Sequence, residues 1–121
     1  MTIYCIVNSS NQIITLFGGP QNPPTPTGYT VMDDTDTRYA AYLTTQQWQA
    51  YQAQARIALD KTDITVNRIT EGVVKGTCAL TNVDVVAYMN YRESLRAILT
   101  QAQPSTIPTS LPTPAPFPAG T

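Results

Sequence analysis

Runs of β-branched and aromatic residues, interrupted by turn-forming residues, predict strands in the first third of the chain. Residues 2–7 and 12–17 are rich in β-branched and aromatic types, and the turn-forming residues 8–11 separate them. This arrangement predicts a β-hairpin. A third strand is predicted over residues 28–32, where it ends at an acidic turn over residues 33–36. Three strands in so few residues bury little core, so the sheet needs a covering helix or another chain.

The middle of the chain changes to helical spacing. A first apolar stripe, for which Thr44 or Thr45 is the predicted cap, contains Trp48, Tyr51, Ala55 and Leu59. A second, more β-branched segment is predicted to begin at Thr62 or Asp63 and to end between Gly72 and Gly76. A third stripe, opened by Thr81 and Asp84, contains Tyr88, Tyr91, Leu95, Ile98 and Ala102.

The first and third helices are predicted to pack as a helical hairpin. Its seam is expected to place Trp48, Tyr51 and Leu59 against Tyr88, Leu95 and Ile98. Residues 104–121 then hold six of the ten prolines and no charged residue, which predicts an extended tail. We therefore expect an α+β fold in one structural unit, with a β region over 1–38, a helical region over 42–103 and a proline-rich tail over 104–121.

The small number and the distribution of charged residues exclude some classes of function. Charged residues are only 12% of the chain, the net charge is −1, and the first 37 residues lack Lys and Arg. Nucleic-acid binding needs clustered cations, so no nucleic-acid partner is expected. The short apolar runs predict no membrane span, and the first residues do not resemble a signal peptide, which predicts synthesis in the cytoplasm. A surface with so few charged residues favours contact with other proteins or with further copies of the chain.

The sequence predicts no catalytic, cofactor-binding or metal-binding residue, and therefore no enzyme. Histidine is absent, and no phosphate-binding glycine loop or nucleophile motif is present. The acidic residues Asp33, Asp34 and Asp36 have two interpretations, a weak calcium site and a polar turn with Asx hydrogen bonds. Cys5 and Cys78 are interpreted as reduced thiols, with a disulfide or a reactive thiol as the alternative.

Aromatic and tail residues are the candidates for partner contact. The candidates are Trp48, Tyr51, Tyr88, Tyr91, Ile107, Leu111 and Phe117. The four helical aromatics suit either a core or a binding platform, and the tail suits either a spacer or a ligand for an aromatic groove. Arg92, Glu93 and Arg96 suit either a solvated or locally paired helix face or the recognition of a partner's carboxylate.

Three segments resemble a known family of small bacteriophage tail proteins, which are related to tail-fibre assembly proteins and tail assembly chaperones, and so does the N-terminal strand–turn–strand followed by Gly18-Gly19-Pro20. The first two lie in runs 58–68 and 87–98 and contain Leu59-Asp60-Lys61-Thr62-Asp63 and Tyr91-Arg92-Glu93-Ser94-Leu95-Arg96. The third is the end of the chain, Pro118-Ala119-Gly120-Thr121. The resemblance implies a non-enzymatic component of the virion tail, at the fibre or baseplate, whose partners are other tail or fibre proteins. An assembly chaperone that binds fibre protein is the alternative.

Overall fold

A computed structural model describes all 121 residues. Three strands precede three helices: β1 Thr2–Val7, β2 Ile13–Phe17, β3 Tyr29–Asp33, α1 Thr37–Lys61, α2 Asp63–Lys75 and α3 Val83–Thr100. Residues 101–121, here named the C-terminal strap, contain no helix or strand. The predicted α+β class, an N-terminal three-stranded antiparallel sheet followed by helices, is confirmed. The helices lack the long apolar stretch that a membrane-crossing helix requires.

Contacts within the chain define two compact units. The sheet unit is Met1–Gln47 and the helical unit is Trp48–Thr121, so that α1 begins in one and ends in the other. The predicted regions 1–38, 42–103 and 104–121 follow composition rather than contacts and stay a prediction.

The sheet has the order β2-β1-β3, and both pairings are antiparallel. The predicted hairpin turn is present: the side-chain oxygen of Asn8 accepts the N–H groups of Ser10 and Gln12, each at 3.0 Å. A shift in register between Ile6 and Val7 places a bulge in the β1–β2 ladder.

One face of the sheet is buried inside the sheet unit. Its residues are Ile3, Cys5, Ile13 and Met32, which form one apolar cluster. Tyr39 and Tyr42, on the first turns of α1, pack against this cluster. The helix therefore begins early enough to cover the sheet.

That early start corrects the predicted cap at Thr44 or Thr45. Helix α1 begins at Thr37 because the carboxylate of Asp36 accepts the N–H of Arg38 at 2.9 Å. Thr44 lies inside the helix, where its hydroxyl donates to the carbonyl of Ala40 at 3.0 Å. The predicted stripe began at Trp48, although Tyr39 and Tyr42 already lie three residues apart and extend the helical spacing toward the N-terminus.

The two later helices have well-defined ends. Helix α2 follows Thr62 and stops at Gly76 (φ 78°), which confirms the predicted limits. Helix α3 is capped by Asn82, whose side chain accepts the N–H of Asp84 at 2.8 Å, and not by Thr81 as predicted. Asn82 is the better cap because its side-chain oxygen reaches the N–H two residues on.

Candidate interaction surface

The interior of the helical unit joins α1 to α3. Trp48, Tyr51 and Ala55 of α1 form one buried cluster with Leu95 and Ile98 of α3. The rings of Trp48 and Tyr51 stack with centroids 5.6 Å apart. This confirms most of the predicted seam, against which Leu59 also packs.

Tyr88 departs from the predicted seam. It lies in a second buried cluster with Ile69, Cys78 and Val85, where α2 packs against the start of α3. Helix α2 therefore packs against the N-terminal half of α3, and α1 packs against its C-terminal half. The sequence analysis did not give α2 a partner, which is why Tyr88 was assigned to the wrong neighbour.

The C-terminal strap folds back over the helical unit. Ile107 and Leu111 are half-buried against the Trp48 cluster, and Ala115 packs against the Tyr88 cluster. The hydroxyl of Tyr51 donates to the carbonyl of Ser110 at 3.1 Å. Two candidate partner-contact residues of the strap are thus in contact with the chain's own helices.

The end of the strap is held at the α2–α3 turn. Pro118 is buried, and the hydroxyl of Thr77 donates to the carbonyl of Gly120 at 3.2 Å. Gly120 has φ +85°, and a Cβ there would lie 2.2 Å from the carbonyl oxygen of Thr77. A Cβ on Gly72 would lie 3.0 Å from the Gly120 carbonyl oxygen. The close approach of strap and turn therefore requires glycine.

A buried arginine ties α3 to the start of α2. Arg92 is only 8% exposed, and its guanidinium donates to the hydroxyl of Thr62 and, at 3.1 Å, to the carboxylate of Asp63. The interpretation as a solvated or locally paired face fits Arg92 only in that it is paired within the chain, because its guanidinium is not solvated. The interpretation holds for Arg96, which forms an exposed ion pair with Glu93 one turn away.

An open groove of about 830 Å³ lies beside the strap. Its walls are Ile57 and Ala58 of α1, Tyr88 and Tyr91 of α3, and strap residues 110–117. Lys61 is its one charged lining residue. Burial, followed by the neighbouring Tyr88, raises the pKa of Tyr91. The groove is of the size and apolar character that binds an extended segment or a small ligand.

The seven candidate partner-contact residues differ in accessibility. Trp48, Tyr51 and Tyr88 are buried, with 5%, 8% and 3% of their surface exposed, so they form core rather than an open platform. Tyr91, Ile107 and Leu111 are half-buried. Phe117 is 72% exposed, although its ring lies 6.3 Å from that of Tyr88. Four of the seven line the groove, namely Tyr88, Tyr91, Leu111 and Phe117, and Phe117 is the most exposed of them.

The acidic residues of the sheet unit form a hydrogen-bonded turn. The Asp33 carboxylate accepts the N–H of Thr35 at 3.1 Å, which lowers its pKa. Asp34 lies 3.5 Å from the N-terminal amino group. The Arg38 guanidinium and backbone hold the pKa of Asp36 at about 2. The Asx turns predicted for this segment are present, and no three acidic, Cys or His side chains are grouped to hold a metal.

The two cysteines are buried free thiols in different clusters. Cys5 is in the sheet interior, where burial raises its pKa, and its thiol lies 3.5 Å from the carbonyl of Thr30. Cys78 packs beside Ile69 in the helical unit.

Sequence reasoning missed several residues that build this surface. The contact of Arg92 with Thr62 and Asp63 joins the first two of the three segments that carry the family resemblance. The third segment supplies Pro118 and Gly120 at the strap anchor. The signal available in the sequence was that all of these residues belong to motifs that resemble one family. Comparison with known proteins adds nothing further: no family model, curated protein or solved structure matches the chain.

Proposed function

We propose that this protein is a non-enzymatic component of a bacteriophage tail, located in the virion at the fibre or baseplate, where it acts through contacts with other tail or fibre proteins. One observation carries the proposal. Three of the segments that resemble the tail family, all outside the N-terminal strands, are far apart in sequence, and each makes contacts that hold the helical unit together. A resemblance made of unrelated matches gives no reason to expect this.

The first of these contacts is the Arg92 cluster. Residues Thr62 and Asp63 come from the Leu-x-x-Thr-Asp segment, and Arg92 comes from the Tyr-Arg-x-x-Leu-Arg segment. In the same α3 segment, Leu95 is fully buried beside Trp48. Several positions of both motifs, though not the exposed Arg96, therefore coincide with those that the fold needs.

The composition of the surface also supports the proposal. Charged residues are 12% of the chain, and large apolar side chains are exposed on both units. The more exposed of these include Val31, Ile57, Ile64, Val74, Leu80, Val83 and Phe117. Single exposed apolar residues are ordinary, but so many with so few charges suit a subunit that is covered by neighbours.

The test is the protein composition of the particle. Mass spectrometry of gradient-purified virions should detect this chain at several copies per particle, at a fixed ratio to the fibre protein. Virions from a phage lacking the gene serve as the control. If purified particles lack the chain while infected-cell lysates contain it, the structural role is excluded.

A site variant connects this test to the groove. Phe117→Ser removes an exposed apolar group and should leave thermal unfolding unchanged while lowering incorporation into particles. Val74→Ser is the matched control, because Val74 is 83% exposed and does not line the groove. Equal incorporation of both variants would show that the groove is not the contact with the tail.

An assembly chaperone is the second candidate, and the open groove favours it. A half-exposed apolar channel with a single cation suits temporary capture of an extended, unfolded segment. This role predicts co-purification with unassembled fibre chains and a lower fibre yield when the gene is deleted. Normal fibre assembly without the gene would exclude it, whereas the virion test above is independent of it.

A further inference from the structure

Strand β3 has an edge without a partner inside the sheet. The N–H of Val7 donates to the carbonyl of Gly28, and the N–H of Asp34 donates to that of Met1, each at 2.9 Å. Hydrogen-bonded pairs alternate along an antiparallel ladder. Thr30 and Met32 therefore bond to β1, and the residues between and beside them direct their backbone groups away from it.

The two ends of this edge are closed by the chain itself. The N–H of Tyr29 donates to the carbonyl of Pro26 at 3.1 Å, and the carbonyl of Asp33 accepts the N–H of Asp36 at 3.0 Å. Four outward groups remain: the carbonyl of Tyr29, the N–H and carbonyl of Val31, and the N–H of Asp33. The free edge is therefore short and is centred on Val31.

This edge has one charged side chain, Asp33 at its end, and is otherwise open to pairing with another strand. Natural sheets protect an edge with Lys, Pro or a bulge, and β3 has none of these. Val31 is 54% exposed, and across the ladder it neighbours Tyr4, which in turn neighbours Phe17. The opposite edge, β2, is interrupted by its bulge.

We propose that two copies of the chain associate through this edge, with β3 antiparallel to β3 and the two-fold axis at Val31. Read from residue 29 to 33, the free groups are an acceptor, a donor with an acceptor, and a donor. A copy related by a two-fold axis presents the matching order. All four groups of each copy are then satisfied, and the two sheets become one six-stranded sheet.

Charge is compatible with a second copy in this register. Val31 meets Val31, and each Asp33 lies opposite Tyr29 of the other copy. The two Asp33 carboxylates are four residues apart along the strands, which is roughly 14 Å and beyond the Debye length of about 8 Å at physiological salt. The apolar row of Phe17, Tyr4 and Val31 continues across the axis. The inference concerns the chain alone and does not rest on the proposed function.

The experiment is sedimentation velocity on the purified full chain over roughly 10 µM to 1 mM, the range expected for a small interface. The wild type should pass from monomer to dimer. Val31→Lys and Val31→Asp should each raise the dissociation constant at least about tenfold, because like charges meet at the axis. An equal mixture of the two variants should dimerise again, since only position 31 faces itself.

Ile14→Lys is the matched control, because Ile14 is equally exposed, at 55%, but lies on β2. It should dimerise like the wild type. In the wild type, amide exchange of Val31 should slow as concentration rises, and that of Thr30 should not change. Far-UV circular dichroism checks that every variant is folded.

Four outcomes would overturn the proposal. They are a wild type that stays monomeric at the highest concentration, a Val31→Lys variant that dimerises by itself, an Ile14→Lys variant that does not dimerise, and a mixture of the two oppositely charged variants that stays monomeric. The exchange of the Val31 amide needs no variant, so the proposal can be tested even if a substitution unfolds the sheet.

Discussion

The two units of this chain cover their apolar surface in different ways. In the helical unit the strap supplies the missing layer, with Ile107 and Leu111 against the core and Pro118 buried at the α2–α3 turn. In the sheet unit α1 covers one face, and the other face leaves Val31 exposed beside a free edge. The helical unit therefore completes its own core, and the sheet unit is the part whose hydrogen bonding an added strand would complete.

The two units also differ in where their charged side chains lie. The sheet unit has one basic side chain, Arg38, which forms an ion pair with Asp36 at the start of α1. The helical unit buries a cation, Arg92, and pairs it with Asp63. The helical unit thus contains one buried cation besides the exposed pair of Arg96 and Glu93, whereas Arg38 and Asp36 of the sheet unit are half-buried. Each of the following changes tests a difference between the two units.

The largest effect is expected from the core of the helical unit. Leu95 is fully buried, so Leu95→Ala should lower the free energy of unfolding by about 2–5 kcal/mol. Urea unfolding followed by the fluorescence of Trp48, its neighbour in the same cluster, measures the loss. Val86→Ala on the same helix is the control, since Val86 is 46% exposed and should change stability by only about 0.5 kcal/mol. Similar losses in both would mean that the seam is not the core.

The second-largest effect on stability is expected from replacing one of two arginines on α3. Arg92→Met should cost about 1–3 kcal/mol, because it removes buried hydrogen bonds to Thr62 and Asp63. Arg96→Met should change stability by less than about 0.5 kcal/mol, because its pair with Glu93 is exposed. Urea midpoints of both variants give the comparison. A silent Arg92→Met would show that the buried pair is replaceable by apolar packing, as some buried ion pairs are.

These residues also show how far sequence could predict the fold. Spacing located the three helices and the seam residues Trp48 and Leu95, because a core-facing stripe leaves a periodic signal. It could not locate the partner of Arg92, because an ion pair between helices has no local pattern. The cap of α3 was missed by one residue, at Asn82, because several adjacent residues there are able to cap. The start of α1 at Asp36 was missed by about two turns.

The strap shows the same limit more strongly. Its composition predicted an extended segment with small apolar anchors at Ile107 and Leu111. Composition could not reveal that the anchors contact the chain's own helices, since proline fixes local shape but not destination. The anchor at Gly120 depends on close approach to Thr77, a contact between residues distant in sequence.

A smaller effect is expected where the strap ends. Gly120→Ala requires a Cβ 2.2 Å from the Thr77 carbonyl oxygen at a positive φ, so the last residues should detach. The expected loss is about 1 kcal/mol, because Ile107 and Leu111 keep the rest of the strap in place. Faster amide exchange at Thr77 and faster carboxypeptidase trimming report the change. Ala119→Ser, beside it and exposed, is the control. Unchanged trimming of Gly120→Ala would mean that the strap end is not anchored there.

The smallest expected effect is a loosening of the sheet unit at acidic pH. Hydrogen bonds from Arg38 lower the pKa of Asp36 from 3.8 to about 2. A carboxyl group whose folded-state pKa is depressed adds stability above its unfolded pKa and loses that contribution as pH falls through the folded pKa. The start of α1 should therefore loosen between about pH 4 and pH 2, seen as faster exchange of the Arg38 amide.

Asp36→Asn separates the charge from the cap in this final test. Asparagine still accepts the N–H of residue 38, so the helix start should persist while the dependence on pH between 4 and 2 disappears. Asp60→Asn, at an exposed position without an ion pair, should keep the wild-type dependence. If Asp36→Asn loosens in acid as the wild type does, the ion pair with Arg38 does not hold this end of the sheet unit. The acid response would then belong to Asp33, whose pKa is lowered by its own turn with Thr35.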